Sequence, residues 1–238
     1  MSALSSAKSY TSTSGNTSVP VSSSSSTSGL SSSSSSSYEL AINSKLGKKI
    51  TVLVNGKPLL DSTTAQPGDV FFHCEDDSVG HTNMICQDTT KKVDSVDGAG
   101  VRTMPLTKDR HACIVFRFHD ATIARNAALL ATSWADEVNY SGGPSAGIGI
   151  TGRVIGAVMG SSSFGLGAKA RLLKYRSRAG QQPKNVICSE MCILAYQLCM
   201  VETDAAFIKL DAKHSLPSTL FKYFLNQGKS YWQVAAYK

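Results

Sequence analysis

The sequence predicts an α+β protein whose antiparallel sheet precedes its main helices. Between the tail and Phe118, the sequence contains a series of short β-branched or aromatic runs, separated by turn-forming residues. This pattern is typical of antiparallel strands with tight connections. After Asp120, apolar residues recur at helical spacing. An order of strands first and helices later is an α+β pattern.

Composition divides the 238 residues into two parts. Residues 1–40 are rich in Ser, Thr and Gly and have little apolar surface, so we expect a disordered tail. Residues 41–238 are long enough for a single core, so we expect one folded domain. The tail has no apolar signal-peptide block and resembles the export segments of bacterial type III secretion effectors. We therefore expect a secreted effector; the alternative is a cytoplasmic protein with a flexible tail.

Turn signals delimit the predicted strands. The first, Lys49–Val54, ends at the turn dipeptide Asn55-Gly56, and Asp97-Gly98 predicts a hairpin further on. The other predicted strands, in chain order, are Val70–Phe72, His81–Cys86, Lys91–Val96, Gly100–Met104 and Ala112–Phe118.

Three helices are predicted in the second half of the chain. Asp120 is a good N-cap for an alanine-rich helix whose apolar stripe extends to Val138. A second amphipathic helix begins near Cys188, and a third follows Leu216-Pro217. Residues 141–167 are rich in Gly and Ser and are assigned to no element. We expect residues 141–180 to influence substrate choice.

The chain is basic, with a formal net charge of +7. No run approaches the roughly 20 apolar residues that span a bilayer, so we expect no transmembrane segment. Nucleic acid is not an expected partner, because the basic stretch lacks interleaved aromatics and a recognition motif. The stretch is either a solvated face or a site for an anionic membrane or an acidic partner. Its basic residues are Lys169, Arg171, Lys174, Arg176, Arg178 and Lys184.

Cys188 is the candidate nucleophile among six cysteines. It follows the short apolar run Val186-Ile187 and begins a predicted helix. A helix N-terminus presents unpaired N–H groups and a partial positive charge, which favour a thiolate and stabilise a developing oxyanion. Cys192 and Cys199 lie deeper in the helix and are expected in the core.

A thiolate nucleophile requires a base, and His81 is the candidate. It begins a strand directly after Gly80, so its ring can project from a strand end. His73 and His119 flank strand ends without that setting. His111 and His214 fall in polar connections.

Several motifs, in their order and spacing, resemble the circularly permuted NlpC-like papain-fold enzymes, the YiiX/YaeF-type group related to lecithin:retinol acyltransferases. The resemblance covers residues 66–226 and rests on Pro67-Gly68-Asp69-Val70, Gly80-His81-Thr82-Asn83-Met84-Ile85, Val93-Asp94-Ser95, Gly100-Val101-Arg102, Val186-Ile187-Cys188-Ser189-Glu190 and Leu216-Pro217.

The resemblance implies a permuted papain-like fold, with the sheet packed against a nucleophile-bearing helix near the C-terminus. It implies Cys188 as nucleophile, His81 as base and Asp94 as the third member, with Asp97 as second choice. Ser189 and Glu190 are expected to stabilise the helix start. The implied chemistry is amidase, peptidase, deamidase or acyltransferase activity on a protein, peptide or lipid amide or ester, without a cofactor.

Other interpretations are weaker. Gly143–Gly147 matches G-x-S-x-G around Ser145, with Asp211 and His214 following, but its context is not strand–turn–helix. His73, Cys74, His81 and Cys86 match no common zinc spacing, so no metal is expected. Gly160–Gly167 lacks the Lys-Ser/Thr of a P-loop. From a different class, a non-catalytic module that docks through the basic stretch is the alternative function.

Overall fold

The computed structural model describes residues 38–43, 49–54, 65–75, 78–106, 112–140, 162–226 and 230–237. Within these described residues the fold is α+β, with an antiparallel main sheet and four α-helices. Almost all of the predicted tail, the Asn55-Gly56 turn, His111 and the G-x-S-x-G motif lie outside the described residues.

The ten strands are β1 (Tyr38–Asn43), β2 (Lys49–Val54), β3 (Val70–Glu75), β4 (Ser78–Ile85), β5 (Lys91–Val96), β6 (Gly100–Pro105), β7 (Ala112–Phe118), β8 (Asn139–Tyr140), β9 (Asn185–Val186) and β10 (Trp232–Tyr237). The α-helices are α1 (Ala121–Ser133), α2 (Leu166–Arg176), α3 (Cys188–Cys199) and α4 (Pro217–Asn226). Short 3₁₀ helices lie at Ala179–Gln181 and Ala212–His214.

The main sheet has six strands in the order β10-β7-β3-β4-β5-β6, and every neighbouring pair is antiparallel. Strands β1 and β2 form a separate antiparallel pair, and β8 and β9 a short parallel one. The predicted strands from β2 to β7 are confirmed, as is the hairpin at Asp97-Gly98. Strand β10 was not predicted, although alternation of buried Trp232 and exposed Gln233 is a period-2 signal.

Helix α1 begins at its predicted cap, because the Asp120 carboxylate accepts hydrogen bonds from the N–H groups of Thr122 and Ile123. The helix ends at Ser133, earlier than its apolar stripe suggested. Val138 still reaches the core, through a turn in which Asp136 adopts a φ of 65°.

Helix α3 lies in the centre of the protein. Every residue from Cys188 to Leu198 is buried, as expected for a helix that other elements cover on all sides. It packs on α1 and β4, and α2, α4 and β5 also contact it. Among the rings beside it, Phe72 makes edge-on contacts with Phe116 and Phe221. The position of Cys188 is therefore fixed by the core.

The turn before β3 is anchored on three sides. Asp69 accepts two hydrogen bonds from Arg117 on β7, at 2.8 and 2.7 Å. Tyr196 on α3 donates a 2.7 Å hydrogen bond to the carbonyl of Gly68. Gly68 has a φ of 87°, and a Cβ there would lie 2.4 Å from the carbonyl oxygen of Ala124 on α1. The turn thus joins the sheet to both helices.

No helix in the described part of the chain is long and apolar enough to cross a membrane.

Gly68→Ala should destabilise the fold by about 1–3 kcal/mol or more, because it adds a backbone clash to a strained φ. Gly98→Ala is the matched control, since Gly98 has a φ of 77° but open space around it. Urea unfolding measures both free energies. Equal losses in the two variants would show that α1 does not constrain this turn.

Candidate active site

The N-terminus of α3 carries Cys188. Ile187 precedes it in an extended conformation, and Met191 N–H donates to the Ile187 carbonyl at 2.9 Å to begin the helix. No side chain of a described residue caps this end. No cap from that part of the chain occupies the N–H groups of the first turn, so they can bind a ligand oxygen.

The side chain of Ser189 does not stabilise the helix start as predicted. Its hydroxyl donates to the carbonyl of Ser215 at 2.6 Å, and so holds the segment before α4 against α3. Glu190, in the same first turn, is buried.

His81 lies on β4 beside a β-bulge. It pairs with His73 on β3, and the next registered pair is Cys74 with Val79, so Gly80 is the extra residue. Bulges bend a strand locally and redirect the side chains beside them. The sequence signal of a glycine before the histidine therefore has a structural basis. The His81 side chain remains about one-third exposed.

Asp94 on β5 holds His81. Its Oδ1 lies 2.6 Å from His81 Nε2. Strands β4 and β5 pair in register at two positions, Met84 with Val93 and Ile85 with Lys92. The contact between His81 and Asp94 therefore lies past the end of the paired segment. Asp97, the second choice, is exposed in the turn between β5 and β6. The structure therefore brings Asp94, and not Asp97, to His81.

Cys188 completes the cluster, because it lies within hydrogen-bonding reach of His81. Burial alone would lower the pKa of the His81 imidazole, but hydrogen bonds with Asp94 and Cys188, and their negative charges, raise it to about 10. Burial tends to raise the pKa of Asp94, but the hydrogen bond to His81 and nearby positive charges outweigh this effect, and the net pKa is lowered. The imidazolium and the Asp94 carboxylate thus stabilise each other.

The other described thiols are poor nucleophiles. Burial raises the pKa of Cys192 strongly and that of Cys199 to about 11. Burial also raises the pKa of Cys86. All four cysteines with described side chains, Cys188 included, are free of disulfides. Of these thiols, Cys188 has an imidazole partner.

Sequence reasoning missed two polar residues beside His81. His73 is buried and lies against the His81 ring, with 5.3 Å between ring centroids. Asn83 Nδ2 lies 2.7 Å from His73 Nε2. The alternation of β4 places Asn83 and His81 on one face, which was a usable signal. The pairing of β3 with β4, which brings in His73, was not visible in the sequence.

Two residues of the alternative Ser145, Asp211 and His214 set lie close together. His214 Nδ1 lies 2.8 Å from Asp211 Oδ2, but Ser145 lies outside the described residues. Asp211 also binds the Arg171 guanidinium and accepts from the N–H of Lys213. These contacts tie α2 to the 3₁₀ helix at Ala212–His214, which is a structural role.

Three of the six residues of the basic segment bind acidic side chains or helix-end carbonyls within the protein. Arg171 pairs with Asp211, Lys169 pairs with Glu202 at 2.8 Å, and Arg176 donates to the Gln197 and Met200 carbonyls at the end of α3. A cation at a helix C-terminus is favourable. Lys174 and Arg178 make no ion pair with any described residue.

Among the described residues, no group of three or more His, Cys, Asp or Glu side chains is arranged to hold a metal ion.

Comparison with known proteins finds no match: no family model, no curated protein and no solved structure is similar to the chain. The motif resemblance therefore stays a prediction, and a function can be inferred only from the geometry of the site.

Asp94→Asn should lower the pKa of His81 from about 10 toward its ordinary value of about 6.5, because the carboxylate charge is lost while burial remains. The raised pKa means that the imidazolium persists as pH rises past 6.5 and is lost near pH 10. Histidine NMR titration measures the midpoint. Asp97→Asn is the control and should leave it unchanged; an unchanged midpoint in Asp94→Asn would contradict the assignment.

Proposed function

We propose that the chain is a cysteine-dependent hydrolase or acyltransferase in which Cys188 forms an acyl-enzyme, His81 acts as base and acid, and Asp94 orients His81. The observation that carries this proposal is the His81 ring, held at Nε2 by Asp94 at 2.6 Å and interacting with Cys188 at the start of α3. The arrangement matches the nucleophile–base–orienter pattern of thiol and hydroxyl enzymes.

The chemistry needs only groups in this cluster and a substrate. The thiolate form of Cys188, beside protonated His81, adds to the carbonyl carbon of an amide, ester or thioester. The N–H groups at the α3 N-terminus stabilise the oxyanion. His81 then protonates the leaving group as its bond to carbon breaks, which leaves a thioester on Cys188.

The second half-reaction returns the enzyme to its starting state. Water, an amine or an alcohol attacks the thioester carbonyl while His81 accepts the attacking group's proton. Collapse of the second oxyanion expels Cys188 as a thiolate and leaves the proton on His81. With water the product is an acid and the reaction is hydrolysis or deamidation; with another acceptor it is acyl transfer.

The proposed fold is a permuted papain-like one, and the proposed setting is a bacterial effector secreted into a host cell. The first proposal is supported by the order of parts: a base on β4 and a carboxylate on β5, followed by a nucleophile on a buried helix near the C-terminus. The second rests on the Ser-rich composition of residues 1–40. Export of a reporter fused to these residues tests it.

Cys188→Ala should abolish acyl-enzyme formation without unfolding the protein, because the side chain lies at a helix start and loses one atom. Cys192→Ala, one helical turn away, is the matched control and should still form the adduct. Intact-protein mass spectrometry after exposure to host-cell lysate detects the adduct and its mass gives the acyl group. An adduct that survives in Cys188→Ala would refute Cys188 as nucleophile.

A second candidate function is docking to an anionic membrane through the outer face of α2. Leu166 and Leu173 are 88% and 50% exposed there, and the exposed residues Lys174 and Arg178, which form no ion pair with any described residue, follow them in the sequence. Leucines with nearby cations fit a bilayer that carries acidic headgroups, since the leucines can insert while the cations contact phosphates.

Sedimentation with vesicles tests this docking. The wild type should bind phosphatidylserine-containing vesicles more strongly than phosphatidylcholine vesicles. Leu166→Ser combined with Leu173→Ser should weaken binding about tenfold or more, from the loss of apolar insertion. Leu129→Ser on α1 removes an equally exposed leucine and is the control. Equal binding by all variants would rule out the α2 face.

A further inference from the structure

His73 occupies a position directly across the sheet from His81. The two residues form a registered antiparallel pair between β3 and β4, so their side chains share one face. Their ring centroids lie 5.3 Å apart and the ring planes are inclined by 56°. His73 is buried, whereas His81 is partly exposed. The buried ring thus forms a wall against which the His81 ring lies.

Asn83 holds the His73 ring. Its side-chain Nδ2 lies 2.7 Å from His73 Nε2, and this hydrogen bond fixes the orientation of the ring. Asn83 is fully buried, and its Oδ1 has no hydrogen-bond partner among the described residues. A buried acceptor without a hydrogen-bond partner destabilises the folded state. The hydrogen bond between Asn83 Nδ2 and His73 Nε2 offsets part of that free-energy cost.

The His73 ring lies against a side chain whose orientation decides whether it can reach both Asp94 and Cys188. The bulge at Gly80 also interrupts regular pairing of β4 immediately before His81. Asp94 holds one nitrogen of the ring, so a packing contact on the ring is needed to restrict its rotation.

We propose that His73, oriented by Asn83, is a positioning residue that holds the His81 ring between Cys188 and Asp94. The inference rests on the proposed function, because it assigns a role within the same site. It adds a second histidine and an asparagine to the machinery and gives a reason for the orphaned Asn83 oxygen. His73 does not touch the reacting atoms and acts through His81.

The test uses the rate at which iodoacetamide modifies Cys188 across about pH 6 to pH 9, with the modified residue identified by peptide mass spectrometry. His73→Leu fills a similar volume but accepts no hydrogen bond from Asn83. His73→Gln keeps an acceptor. His119→Leu changes an exposed histidine away from the site and is the control. Thermal melting of each variant reports folding separately.

The wild type and His119→Leu should react rapidly from the acid end of the range. His73→Leu should react about tenfold more slowly near pH 6.5, because His81 is no longer held beside Cys188, and its rate should rise with pH like that of an unassisted thiol. His73→Gln should recover most of the rate. A purely structural role would lower the melting temperature and leave the pH profile unchanged, which would overturn the proposal.

Two further variants separate the possible failures. If wild-type Cys188 reacts no faster than in His81→Ala, the proposed function itself fails. If it reacts faster than in His81→Ala and His73→Leu matches the wild type, only the role of His73 fails. Should His73→Leu not fold, Asn83→Ala removes the donor to His73 and leaves the His73 ring in place; a wild-type pH profile in Asn83→Ala then overturns the proposal.

Discussion

The 2.6 Å contact between His81 Nε2 and Asp94 Oδ1 joins β4 to β5 beyond their last registered pair. Burial of the two groups opposes their charges, and the contact reverses that effect for both, raising the pKa of His81 and lowering that of Asp94. Without the carboxylate, a buried imidazole would be neutral at physiological pH. The charged state of the site therefore depends on this pair.

The rest of the fold presents Cys188 to that pair. Helix α3 is buried along nearly its whole length, and Tyr196 ties it to the turn that begins β3. Ser95 on β5 donates to the Val186 carbonyl at 3.0 Å, which connects the strand that carries Asp94 to the segment that enters α3. Cys188 and Asp94 are thus positioned by neighbouring elements of one core, and packed elements hold side chains more exactly than loops do.

Much of this arrangement was predictable from local sequence signals. Asp120 as a cap, the Asp97-Gly98 hairpin and the start of α3 at Cys188 follow from backbone preferences of single residues and from hydrophobic periodicity. The proximity of His81 and Asp94 came from motif order, and the structure supports it with a direct contact. Contacts set by strand pairing were not predictable: His73 lies beside His81 only because β3 pairs with β4 in this register. The internal pairing of the basic segment was equally hidden, since Asp211 and Glu202 are distant in sequence.

The central claim is that His81, held by Asp94, makes Cys188 a reactive thiol, and the rate at which iodoacetamide modifies Cys188 near pH 7 tests it most directly. Cys188 should react about tenfold or more faster in the wild type than in His81→Ala, and Asp94→Asn should also react more slowly than the wild type. Equal rates at Cys188 in the wild type and His81→Ala, both shown to be folded, would contradict the claim.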